Sequence, residues 1–135
     1  MGFDVLKSVL SVLIVVFALV AGTGGDARGD DLRFSRDVLP ILAENCFACH
    51  GFDEAAREAG LRLDTKQGAL ESDVLVAGDP SASPLIQRII STDPEDQMPP
   101  PDSGKPLTDA QRETLRQWVA QGAEYEEYWS FQPPQ

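Results

Sequence analysis

Apolar residues are gathered into separated runs along this chain, and each run carries its own punctuation. The first, Val9 to Ala21, is interrupted only by Ser11; Lys7 precedes it and Ala21-Gly22-Thr23-Gly24-Gly25 follows. A basic start, an apolar middle and a small-residue end form the pattern of a signal peptide. The uncharged stretch Ser8 to Gly25 also reaches the lower limit of a membrane span, so a retained N-terminal membrane anchor is the alternative. The Gly-rich end favours cleavage. Residues 1–25 are read as signal peptide or anchor, and the mostly polar residues 26–33 as a flexible leader.

The later runs are short and recur at helical spacing. Val38, Leu39, Ile41 and Leu42 predict a helix that begins near Ser35 as N-cap, has Asp37 in its first turn, and runs into Cys46. Pro40 fits only if it falls in that first turn. Gly51 and Gly60 mark breaks. Leu61-Arg62-Leu63 alternates and reads as a short extended piece. Asp64 or Thr65 then caps a short helix ending at Gly68 or Leu70. Ser83-Pro84 pairs an N-cap with Pro at N1, and Leu85, Ile86, Ile89 and Ile90 carry that helix to about Ile90. A loop rich in Pro and Asp spans Ser91 to Pro106. Thr108-Asp109-Ala110-Gln111 fits a capping box. Leu115, Trp118 and Val119 form the apolar face of the last helix, and Gly122 stops it. An aromatic tail follows with Tyr125, Tyr128, Trp129 and Phe131.

The fold class expected is all-α, with three to five short helices. Without residues 1–25 the chain has roughly 110 residues, enough for one domain with a limited core. Connections as long as these call for a functional reason. Net charge is −11, which argues against nucleic-acid binding and allows a basic redox partner with salt-sensitive association.

The chemistry is concentrated in one pentapeptide. Both cysteines and the single histidine lie in Cys46-Phe47-Ala48-Cys49-His50. C-x-x-C-H is the attachment sequence of a c-type haem: two thiols three residues apart share one side of a helical turn, and the adjacent imidazole can reach the iron. Met98 is the one methionine besides Met1 and lies in Asp96-Gln97-Met98-Pro99-Pro100-Pro101. Thioether opposite imidazole raises the potential of a haem iron, and the flanking prolines stiffen the loop that carries it. The expected site is therefore Cys46, Cys49 and His50 for one covalent haem c, with His50 and Met98 as axial iron ligands and no catalytic residue.

Other uses of these residues have less support. A disulfide between Cys46 and Cys49 suits an exported chain, but C-x-x-C bridges belong to thioredoxin-like folds and no βαβ pattern is present. Structural zinc needs four ligands; three are available here. Leu39, Leu61, Leu63, Leu85, Ile89 and Trp118 are candidates to line the haem or simply to form core. Arg62, Arg88 and Trp118 are candidate partners of its propionates.

These features resemble class I cytochromes c over about Asp31 to Ala123. The chain is more narrowly similar to the planctomycete-type cytochrome c domain. The matching stretches are Phe34-Ser35-Arg36-Asp37-Val38-Leu39-Pro40-Ile41-Leu42, Gly60-Leu61-Arg62-Leu63-Asp64, Gly78-Asp79-Pro80 with Ser83-Pro84-Leu85-Ile86, Met98-Pro99-Pro100, and the tail Tyr128-Trp129-Ser130-Phe131-Gln132-Pro133-Pro134. The resemblance implies a domain over residues 34–123, with the helices wrapped round one haem. It also implies that the first and last helices cross, with Val38, Leu42, Leu115, Trp118 and Val119 at the contact. Residues 124–135 form an aromatic tail that would either begin a further domain, since the family's chains commonly continue into larger ones, or end a free-standing cytochrome. One departure is plain: Gly51 to Leu63 holds no Pro, so the usual carbonyl partner of the ligand His is not assigned.

The expected function is one-electron transfer by a mono-haem cytochrome that is periplasmic or attached to the outer side of the inner membrane. The alternatives are an electron-transfer module of a larger exported enzyme, and a sensor or peroxidase with an open iron site. Membrane contact is expected only if the N-terminal segment is retained.

Overall fold

In the computed structural model of the chain, residues 32–126 are described. The segment 1–25, the leader up to Asp31, and Tyr128, Trp129 and Phe131 lie outside the described residues. The described residues form five α-helices, α1 Leu39–Asn45, α2 Phe47–His50, α3 Lys66–Glu71, α4 Pro84–Ile90 and α5 Asp109–Ala120, with a π-helical turn, a 3-10 turn at Pro101–Ser103 and no strand among them. Among these residues no helix is long and apolar enough to cross a membrane.

The first helix enters through a π-helical turn, Phe34–Val38. Its N-cap is Arg33, not the expected Ser35, and the Arg33 N–H is taken up by the Asp37 carboxylate at 2.8 Å. A continuous α-helix would drive the Pro40 ring into the carbonyl four residues back. The wider turn precedes it instead, and the Leu39 N–H bonds to the Phe34 carbonyl. α1 breaks at Cys46 and resumes as the single turn of α2.

Local chemistry sets most later boundaries. Thr65 caps α3 by accepting from the Gly68 N–H at 3.1 Å. Thr108 and Gln111 form a reciprocal capping box at α5. Pro84 opens α4 as expected. Ser83 departs from expectation: it occupies the N-cap position but caps nothing. It is fully buried, and its hydroxyl accepts from the Val76 N–H at 2.9 Å and donates to the Asp79 carbonyl at 2.9 Å. The turn before α4 captures this hydroxyl, which links the Val76 N–H to the Asp79 carbonyl.

The core joins the two ends of the domain. The π turn and α4 both pack on α5. Val38, Leu42, Leu115 and Val119 are fully buried and Trp118 nearly so, in line with the expected meeting of the first and last helical segments. Tyr125, read in sequence as the start of a tail, folds back onto this core. Its ring lies 4.5 Å from Phe34 and 5.2 Å from Trp118.

Candidate haem site

Beside this core lies a cavity of about 650 Å³, within the range of cofactor sites. Cys46, Cys49, His50 and Met98 all border it. The fold therefore brings the pentapeptide and the distant methionine to one space. Leu61, Leu63, Leu85 and Ile89 line it as well, whereas Leu39 and Trp118 do not. Trp118 instead joins the aromatic cluster, and its indole N–H donates to the Glu124 carbonyl at 2.9 Å. The reason is topological: its side of α5 meets the π turn and not the cavity.

The pentapeptide is held through its carbonyls. Cys46 accepts from the Cys49 and His50 N–H groups, Cys49 from Glu58, and His50 from Leu63 at 2.8 Å. Gly51 is required after it, because a Cβ there would lie 2.3 Å from the Phe47 carbonyl oxygen. Cys46 is half-buried, Cys49 is exposed, and both are free thiols. Burial pushes the Cys46 thiol up to about 11, against the opposing charge of Lys105. Burial also lowers the His50 imidazole, with the Glu58 backbone and carboxylate acting the other way. A neutral imidazole is the form that ligates metal.

The methionine loop is tied at several points. The Met98 N–H donates to the Arg88 carbonyl at 3.0 Å, and the Met98–Pro99 peptide is cis. The Arg88 guanidinium reaches the Asp96 carbonyl at 3.3 Å and its carboxylate at 3.8 Å. Lys105 closes the loop by donating to the Glu44 carbonyl at 2.8 Å. Sequence reasoning missed Lys105, because its partner is a backbone oxygen on α1, far along the chain, and no local pattern marks it. Arg62 pairs bidentately with Asp64 and does not border the cavity, while Arg88 does.

Against this geometry, residues 46–102 match the family model described as Planctomycete cytochrome C. Over this segment the chain is similar to planctomycete cytochrome c domains. No curated protein and no solved structure gives a match.

The family that this segment resembles implies haem c, and the residues present fit that group. The cavity walls are mostly apolar, the two thiols are unbonded, and His50 Nδ1 is buried without a hydrogen-bond partner. An orphaned buried ring nitrogen is costly and marks a group whose other partner belongs to a site. The two cations on the wall, Arg88 and Lys105, have no acidic residue beside them among the lining residues.

Proposed function

We propose that this domain holds one haem c through thioethers from Cys46 and Cys49, with His50 and Met98 as its iron ligands, and passes single electrons outside the cytoplasm. The observation that carries the reading is the convergence of Met98 with Cys46, Cys49 and His50 on one cavity. When bound, haem c supplies a one-electron ferric–ferrous couple whose potential follows its axial ligands and burial.

The chain's own residues supply position and shelter. The Leu63 and Glu58 N–H groups fix the backbone that bears His50 and Cys49. The Arg88 carbonyl and the Lys105 tie fix the loop that bears Met98. Leu61, Leu63, Leu85 and Ile89 keep the cavity wall apolar, which excludes water and favours the state of lower charge. This arrangement supports a carrier, since it needs no acid or base. The apolar run in residues 1–25 supports export, and the net charge of −11 supports a redox partner with a basic face.

The test is an optical spectrum of protein exported by a host with haem-attachment machinery, before and after denaturation and acid–acetone extraction. Colour that stays with the polypeptide, and a methionine–iron charge-transfer band lost in Met98→Ala, are the expected results. Full extraction of colour removes the covalent assignment. A native low-spin spectrum in Met98→Ala removes the axial one.

A further inference from the structure

The loop that follows His50 has a feature the haem site does not explain. Phe52 is 78% exposed, the most exposed large apolar side chain among the described residues. It does not border the cavity, so enclosing a haem gives it no role. Its exposure is built in: Arg57 donates to the Gly51 carbonyl at 3.0 Å and to the Phe52 carbonyl at 2.9 Å. The Asp53 carboxylate accepts from Ala55, and the Glu58 N–H is bonded back to Cys49. A fixed backbone thus holds an aromatic ring outward two residues after the proposed iron ligand.

The exposed charge of this loop has one sign. Asp53, Glu54 and Glu58 are exposed, whereas the loop's cation, Arg57, is turned down with its side chain 15% exposed. Its nearest carboxylate, Glu54, is 3.9 Å away and itself 91% exposed. An apolar centre with a charged rim is the anatomy of an interface. A rigid aromatic is the residue type that anchors one, and rim charge sets the rate of encounter.

We propose that residues 51–58 form the docking surface for a redox protein whose contact face is apolar at its centre and basic at its rim. The proposal rests on the electron-carrier reading and adds the place and chemistry of the encounter. A second copy of this chain does not fit, because its own acids would face Asp53, Glu54 and Glu58.

The test uses the holoprotein over its full chain, with the cationic mitochondrial cytochrome c as probe. With both proteins reduced, amide chemical shifts are mapped at low and high salt. Shifts confined to residues 51–58 that fade with salt are expected; shifts elsewhere, or no binding, overturn the proposal. Phe52→Ser should weaken binding about tenfold or more, and Glu54→Lys should weaken it beyond the charge-matched Glu71→Lys. Ile90→Ser, at another exposed apolar residue, should leave it unchanged. Electron exchange with the probe should fall in parallel in Phe52→Ser, while exchange with hexaammineruthenium stays at the wild-type rate. Exchange that proceeds equally in wild type and Phe52→Ser overturns the docking surface and leaves the carrier reading intact. Shifts at the loop without exchange to either probe support the surface and remove the carrier reading.

Discussion

The Tyr125 hydroxyl donates a 3.1 Å hydrogen bond to the carbonyl of Leu63, and the Leu63 N–H donates in turn to the carbonyl of His50. The aromatic end of the domain is thereby bonded, through one residue, to the backbone of the proposed iron ligand. Tyr125→Phe keeps the ring against Phe34 and Trp118 but leaves the Leu63 carbonyl unpaired. A loss of about 1 kcal/mol is expected from denaturant unfolding. Tyr125→Ala also empties the ring's place in the cluster and should lose roughly 3 kcal/mol or more. Equal midpoints for Tyr125→Phe and wild type would show that the hydroxyl contributes nothing.

Ser83 is expected to matter more than a nominal cap. Its hydroxyl satisfies the Val76 N–H and the Asp79 carbonyl inside the protein. Ser83→Ala should therefore destabilise by about 1–3 kcal/mol, and Ser83→Asp, a better helix cap in isolation, should not restore the loss. Thermal melts of the two variants at neutral pH distinguish a buried bond from a cap.

The Asp64 carboxyl is held below its ordinary range by its hydrogen bonds from Arg62, with burial opposing. A depressed folded-state pKa contributes stability above the unfolded value of about 3.9, and that stability is lost as pH falls through the folded value. Asp64→Asn should lower the melting midpoint at pH 7, and the gap to wild type should close on acidification below about pH 4. A gap that persists unchanged at the lowest pH would show that the effect is not electrostatic.

Preventing haem attachment should unfold the domain. Emptying a 650 Å³ cavity carries an upper bound of roughly 16 kcal/mol at about 24 cal/mol per Å³. Water entering an open cavity reduces that figure, but even half of it rivals the ~5–15 kcal/mol that stabilises a typical domain. The double variant Cys46→Ser/Cys49→Ser should show weakened far-ultraviolet helical signal and no cooperative melt. A sharp melt near the wild-type midpoint would mean that the helices support themselves.

Much of this protein could be read from its residues in order, because the deciding interactions are local. A Thr three residues before a free N–H caps α3, Thr108 and Gln111 reach each other within one turn, and Pro84 suits a first helical position whatever surrounds it. The pentapeptide Cys46 to His50 declares its chemistry in the same way, since its groups need only one turn of helix to converge. Other features depend on partners far along the chain. Trp118 faces an aromatic cluster and not the cavity, and Tyr125 returns to Leu63. Lys105 finds a carbonyl on α1, and the meeting of Met98 with His50 at one cavity required the loop to be carried there by Arg88 and Lys105. Hydrogen bonds to backbone oxygens leave no residue-type signature at the acceptor, so only the tertiary structure could decide them.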